Sequence, residues 1–284
     1  MAEVKIIADS VSPQGIRLTT FHLRYWRAIH AELMTHRVFS RNARSSRAVP
    51  SKILLTEEVF VPQFGMNKPG MQSTEKLTLA QQYEAQSIWI DLAKDTRIAV
   101  SKLQALGVHK QWANRPLEWF GWIDVQVTAT WWKNFFTLRI SEYAQPELDE
   151  LAQLMLKAME QSQPVLRQPG SWHLPWVTED EREGGYTLDE LKMISTARSA
   201  RLSYAPFDGK ADFVSEMARY EKLVVSQPVH ASPAEHQATP DTRVNSGKWK
   251  DDESWGHPQL HGNFEGWIQY RKTIPHEAIM ETRV

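Results

Sequence analysis

The chain has 284 residues, a formal net charge of −1 and no cysteine. That length supports a substantial core in one large domain. Near-neutral charge supplies no bulk field for wrapping nucleic acid or adhering to an anionic membrane, and the missing thiol excludes disulfides, thiolate metal sites and cysteine nucleophiles.

Residues 4–8 and 16–23 read as strands, the second rich in β-favouring types. Trp26, Ile29 and Leu33 recur at helical spacing and predict a helix over 25–34. Residues 61–74 hold prolines and glycines and read as a loop. Thr78 and Gln81 suit a capping box for a long helix whose inward face would be Ala85, Trp89, Leu92, Thr96, Ala99 and Leu103. Ile123, Val125 and Val127 alternate in a strand over 122–130, and a short helix around 131–139 follows. Pro146 suits the first turn of a further helix, which turns Leu148, Leu151, Met155 and Ala158 or Met159 inward. Residues 163–186 look irregular and carry an acidic patch from Glu179 to Glu183. Thr187 with Glu190 starts a helix over 188–199, and another is expected over 211–226. Residues 237–263 lack periodicity and read as a long surface loop.

The fold class expected is therefore mixed α/β (α+β). A single catalytic domain over 1–284 would have a central β-sheet flanked by helices, with irregular insertions near 163–186 and 237–263. No apolar run reaches the roughly 18 to 20 residues that span a bilayer, and no apolar segment follows the basic start. A soluble, cytoplasmic protein is expected, with no membrane or nucleic-acid partner.

The densest chemistry lies between Thr35 and Arg47. Thirteen residues hold four arginines, three serines, a histidine and an asparagine, with no acid. Fixed positive charge beside short, rigid donors suits a phosphate-bearing ligand. The same residues also suit a solvated basic arm touching RNA. The spacing of His36-Arg37 with Ser40, Asn42, Ser45 and Arg47 resembles the signature of the flavin-dependent thymidylate synthases. Two later blocks keep the family's order: Asn114-Arg115-Pro116-Leu117, then Asn134-Phe135-Phe136-Thr137-Leu138-Arg139 with Ala144-Gln145-Pro146-Glu147. Ala200-Arg201-Leu202-Ser203-Tyr204 and His230-Ala231-Ser232-Pro233-Ala234-Glu235-His236 resemble two elements that normally precede the arginine motif but here follow it. The chain is thus similar to a permuted or rearranged member, an arrangement physically tolerable because domain termini often lie close together.

The resemblance implies transfer of a one-carbon unit from methylenetetrahydrofolate to C5 of dUMP, with NADPH reducing FAD and no metal involved. A flavin route needs no cysteine, because the cofactor carries the difficult chemistry. Carried over residue by residue, it implies that Arg44, Ser45, Ser46, Arg47 and Arg115 bind substrate. Arg139 binds it and stabilises negative charge developing on the pyrimidine. His36, Arg37, Asn134, Ser203, His230, Ser232 and Glu235 hold FAD, in a homotetramer whose sites combine residues of several subunits. Each role has a plainer reading: Arg139 pairing with Glu142 or Glu147, for example, or Asn134 capping a helix. Thr35, Glu32, Ala43, Ala48 and Thr128 stand where the family commonly has arginine, glutamine, glutamate, tyrosine and asparagine. The changes at Thr35 and Glu32 remove one positive charge and add one negative beside the expected nucleotide, a place Arg41 or Arg44 would compensate. The alternatives are a flavin- and folate-dependent dCMP or dUMP methylase or hydroxymethylase, of the kind viral DNA-modification pathways use, and a nucleotide- or RNA-binding homologue without catalysis.

Overall fold

The computed structural model describes residues 1–73, 75–202, 212–245 and 253–278. Chain order puts a long hairpin first. β1 (Glu3–Val11) and β2 (Arg17–Trp26) pair antiparallel, with a register irregularity between Ile6 and Ala8. β3 (Ser40–Ala43), β4 (Trp122–Ala129) and the two-residue β5 (Val165–Leu166) complete a five-stranded sheet of order β3-β4-β2-β1-β5. All neighbours are antiparallel except β1 and β5.

Because side chains alternate along a strand, the pairing of Phe21 with Val127, Leu23 with Val125 and Tyr25 with Ile123 gathers one apolar face. That face packs on Trp132, Phe135, Leu148, Leu151 and Met155, the buried residues around and on the helices Lys133–Arg139 and Pro146–Gln161. The opposite face carries Thr20, His22, Asp124, Gln126 and Thr128, also buried but polar. It is covered by the helix Leu188–Ser199, by residues 171–177 and by the turn Ser232–Glu235.

Local signals placed several elements well. The capping boxes at Thr78 and Thr187 form, each with its third residue returning a side-chain bond. Pro146 sits in the first turn of its helix. The expected helix over 25–34 is shorter: β2 runs on to Trp26, and only a 3-10 turn (Arg27–Ile29) and one helical turn (His30–Leu33) remain. Pairing of Trp26 with Trp122 across the sheet outweighs the local spacing. The long helix is Leu79–Ala105, but Leu92 and Ala99 face solvent while Ala93 and Val100 are buried. The inward stripe keeps Ala85, Trp89, Thr96 and Leu103 of the expected face, with Ala93 and Val100 in place of Leu92 and Ala99. The acidic patch is a short helix, Glu179–Glu183, capped by Thr178. Helix Phe213–Tyr220, capped by Asp212, runs into a wider turn at Glu221–Val225.

The expected surface loop over 237–263 is instead partly core. Ala238–Pro240 pairs with Trp267–Gln269, and Ala238, Phe264 and Trp267 close over Leu18. Three-residue strands are too short to show periodicity, so the sequence pattern missed them. No helix among the described residues is long and apolar enough to cross a membrane.

Candidate functional site

β3 carries the middle of the arginine motif along the sheet edge. Ser40 is opposite Thr128 and Asn42 opposite Gln126, which fixes the register of the following loop. Ser40 accepts from Gln269, and Asn42 donates to the Ser199 carbonyl, so both serve the frame. Asn114 staples the loop from beneath, its amide donating to the carbonyls of Ser46 (2.8 Å) and Val49 (3.1 Å).

Beside this loop lies a cleft of about 600 Å³. One wall is Arg41, Arg44 and Ser45; the other is Arg201, Arg219, His230 and Ser232. Ala200, Leu202, Leu223 and Pro233 supply apolar surface between them. Two blocks far apart in sequence from the motif, around Ala200 and His230, thus return to it around one cavity. Mixed walls of this size suit a nucleotide-like ligand, apolar for a ring and charged for a phosphate.

The four arginines of the cleft are not equivalent. The Arg44 guanidinium donates to both carboxylate oxygens of Glu57 (2.7 and 2.8 Å) and lies 3.4 Å from Asp124. Arg41 donates to the carbonyls of Met34 (2.7 Å) and His36 (3.2 Å). Arg201 and Arg219 both bond the carboxylate of Glu216, which is 1% exposed. Arg198 approaches the same carboxylate at 3.7 Å while pairing with Glu181. Glu181 is held below the usual carboxylate range by hydrogen bonds from Arg198 and Thr178, against the opposing effect of burial.

A second cluster surrounds His36, whose carbonyl Arg41 reaches. Arg139 Nε donates to His36 Nε2 at 2.9 Å, its terminal nitrogen donates to Thr35 Oγ1 at 3.1 Å, and Glu32 sits 3.6 Å away as an ion pair. Burial, then the charges of Arg139 and Arg41, push His36 down to about 4. His36 is therefore neutral near pH 7, accepts at Nε2 and carries its proton on Nδ1. The two residues that depart from the family pattern here, Thr35 and Glu32, are both partners of Arg139.

Arg47 and Arg139 do not line the cleft that His230 lines. Arg139 and His36 belong to the second cluster. Ser46 and Arg115 turn instead to Glu118, which also pairs with Arg27. Arg37, Arg47 and Asn134 are exposed. Arg37 and Arg47 have no ion-pair partner among the described residues. The Glu235 carboxylate is taken up by Arg271. Ser203 lies outside the described residues. Arg219, Glu216 and the anchoring role of Arg201 were not singled out from sequence. Their only signal is a Glu–Arg pair three residues apart, which ordinarily marks a solvated helix face.

The polar face of the sheet adds a buried chain of hydrogen bonds beside the cleft. His173 bonds Ser10 through Nδ1 and Thr20 through Nε2, both at 2.8 Å. Thr20 bonds Thr128 (2.7 Å), and Thr128 bonds His236 Nδ1 (2.7 Å). Burial pushes His236 down to about 3 and lowers His173 as well.

The model of the Thy1 family, described as thymidylate synthase complementing protein, matches residues 11–165, more than half of the chain. The match takes in the arginine motif and the two blocks that follow it in order, and stops before the displaced ones. No curated protein gives a significant match. Among solved structures, the chain is similar to the UMP/dUMP methylase PolB from Streptomyces cacaoi, crystallised with 5-Br UMP. The two share 16% identity over 56% of this chain and 92% of that one, with a TM-score of 0.46.

Proposed function

The chain belongs to the Thy1 family, and from that premise we propose that it is a flavin-dependent thymidylate synthase, moving a one-carbon unit from methylenetetrahydrofolate to C5 of dUMP. The observation that carries this reading is the return of the displaced blocks: His230, Ser232 and Arg201 meet Arg41, Arg44 and Ser45 around one cleft. A non-catalytic basic arm would have no need of that closure.

The residues present fit an FAD: arginines and hydroxyls line one part of the cleft, and Leu202, Leu223 and Pro233 the rest. His230, Ser232 and Ser45 would hold it, and FAD when bound supplies the hydride and one-carbon chemistry that side chains lack. The protein's own work is orientation and charge. Arg139, fixed by His36 and Thr35, presents a preorganised cation to a pyrimidine carbonyl. Neutral His36 holds that guanidinium without adding charge of its own.

Arg139 is not among the residues that line the cleft, so we place the complete site between copies in a homotetramer. Tyr83, Ile88, Leu92 and Ile98 on the long helix are more than half exposed, an apolar surface that suits such association. One observation favours a second product class. Glu32 partly neutralises Arg139 and Thr35 occupies one of its donors, so a base richer in donors than uracil, as in dCMP, is the competing substrate.

Purified protein supplied with FAD, NADPH and methylenetetrahydrofolate, offered dUMP or dCMP, tests both, with the product weighed by mass spectrometry. Methylated dUMP is the expected product. Turnover of dCMP alone would replace the first reading with the second. Arg139→Ala is expected to lower turnover by about 100-fold or more while flavin absorbance stays with the protein. Unchanged turnover would remove Arg139 from the mechanism.

A further inference from the structure

The sheet edge away from the arginine motif holds another cavity, of about 210 Å³. β3 forms one edge of the sheet and β5 the other, with β4, β2 and β1 between them. The cavity is lined by β1 from Ile6 to Ser10, by Val165 of β5, and by Glu179 and Arg182 of the short helix Glu179–Glu183. Arg167, one residue past β5, also lines it. Arg167 and Arg182 both lie beyond the residues that the family model matches.

Four charged side chains line this cavity: Asp9, Arg167, Glu179 and Arg182. Asp9 is already engaged. Arg17 donates to both of its oxygens (2.9 and 2.6 Å), and Thr19 and Ser162 donate to it as well (3.0 and 2.6 Å). Glu179 lies 3.5 Å from Arg182 Nε, but its side chain is 76% exposed, so water weakens that pair. Arg182 also reaches the Trp172 carbonyl, at 3.5 Å. The Arg167 side chain has no hydrogen-bond or ion-pair partner among the described residues, and the Nε atoms of both arginines are buried without a hydrogen bond. Burial, then the charge of Arg167, lowers Arg182 from the ordinary arginine value, against the pull of Glu179. Two guanidiniums that repel each other, each with donors unmet, cost free energy that a shared anion would relieve.

We propose that Arg167 and Arg182 form a binding site for a small organic carboxylate, separate from the cleft. A planar guanidinium presents paired donors to a planar carboxylate, and one anion between two guanidiniums removes their repulsion. Ile6, Val165, Leu174 and Val177 line the same cavity and offer apolar surface to a short hydrocarbon body, which a bare phosphate lacks. The volume falls below the roughly 300 Å³ at which pockets for drug-sized ligands begin, so the ligand is a short-chain acid and not a nucleotide. The site stands whether or not the cleft turns over dUMP.

The test is titration of the full-length protein with butyrate, with its uncharged isostere butyramide and with inorganic phosphate, followed by proton and phosphorus NMR of the ligands. Butyrate is expected to saturate and to bind at least about ten-fold more tightly than butyramide, the effect of one charge-assisted contact. Phosphate, with no apolar body, is expected to bind about ten-fold more weakly than butyrate. Arg167→Gln should weaken butyrate about ten-fold or more while the melting temperature stays level or rises, because that side chain holds no other part of the fold. Arg182→Gln should weaken it as well. Arg219→Gln, in the cleft, should leave butyrate binding unchanged. Equal affinity for butyrate and butyramide, or no saturation by butyrate, overturns the site. Phosphate binding as tightly as butyrate overturns the choice of a carboxylate. An unchanged affinity in Arg167→Gln, or a loss that appears only in Arg219→Gln, moves the anion elsewhere and overturns the site. A lower melting temperature or failure to fold in Arg167→Gln makes Arg167 a structural residue and overturns it too.

Discussion

The two faces of the central sheet are buried to the same degree and built from opposite chemistry. On one, Phe21, Leu23, Tyr25, Val125 and Val127 are almost fully buried against the helices that follow β4. On the other, Thr20, Gln126 and Thr128 are equally inaccessible, yet each side chain is hydrogen-bonded, to His173, His236, Ser199 or the Trp176 ring nitrogen. The first face draws its stability from apolar area. The second draws little net energy from its hydrogen bonds and would lose much if one were left unmade. An apolar face tolerates any well-shaped cover, whereas the polar one accepts only a segment that supplies the matching donors and acceptors. Residues 171–177 and 232–237 supply them, which puts His230, Ser232 and Arg201 next to the motif.

Removing bulk from the apolar face is expected to cost most. Phe21→Ala should destabilise the protein by about 3–5 kcal/mol, read from urea unfolding. Acid should act chiefly on the other face. The folded-state pKa of His236 is about 3, and burial lowers that of His173 as well, both below the ordinary value near 6.5. The unfolded chain therefore binds more protons than the fold below pH 6.5. Stability is expected to be complete above that pH and to fall as pH drops toward about 3, by up to roughly 1.4 kcal/mol per unit for each such histidine. His36, at about 4, adds to the same slope from the motif side. His236→Gln should flatten the dependence; an unchanged slope would mean that the polar face is not what acid attacks.

Thr128→Val keeps the shape but strips the bridge between Thr20 and His236. A cost of about 1–3 kcal/mol is expected, below that of Phe21→Ala. If the order were reversed, the polar face would be the main stabilising layer and the contrast drawn above would fail. Thr78→Ala removes the cap of the long helix and should cost about 1 kcal/mol. Arg115→Ala breaks a half-exposed pair with Glu118 and should change thermal stability by less than about 1 kcal/mol.

The apolar face could be read from the chain because alternation in β4 and the Leu148, Leu151, Met155 spacing are both short-range patterns. Its partner could not. Thr128 looked like a departure from a family asparagine, and only the fold makes it the link between His236 and Thr20. The same holds at Thr35 and Glu32, whose shared partner Arg139 lies a long way down the chain. Ser46 and Arg115 belonged to the expected substrate set, but Glu118 draws both to itself. Residues 237–263 hid core positions because three-residue strands leave no period to detect.

What the chain alone settled is what depends on separations fixed by covalent geometry. Caps at Thr78 and Thr187, the start at Pro146 and the alternation from Ile123 to Val127 all act over a few residues, at distances that any folded version of this sequence must share. The fold settled which carboxylates each cation meets. Arg44 and Arg219 look alike as residues, but Coulomb interactions follow distance in space. Only the packing puts Glu57 and Asp124 beside Arg44, and Glu216 beside Arg219.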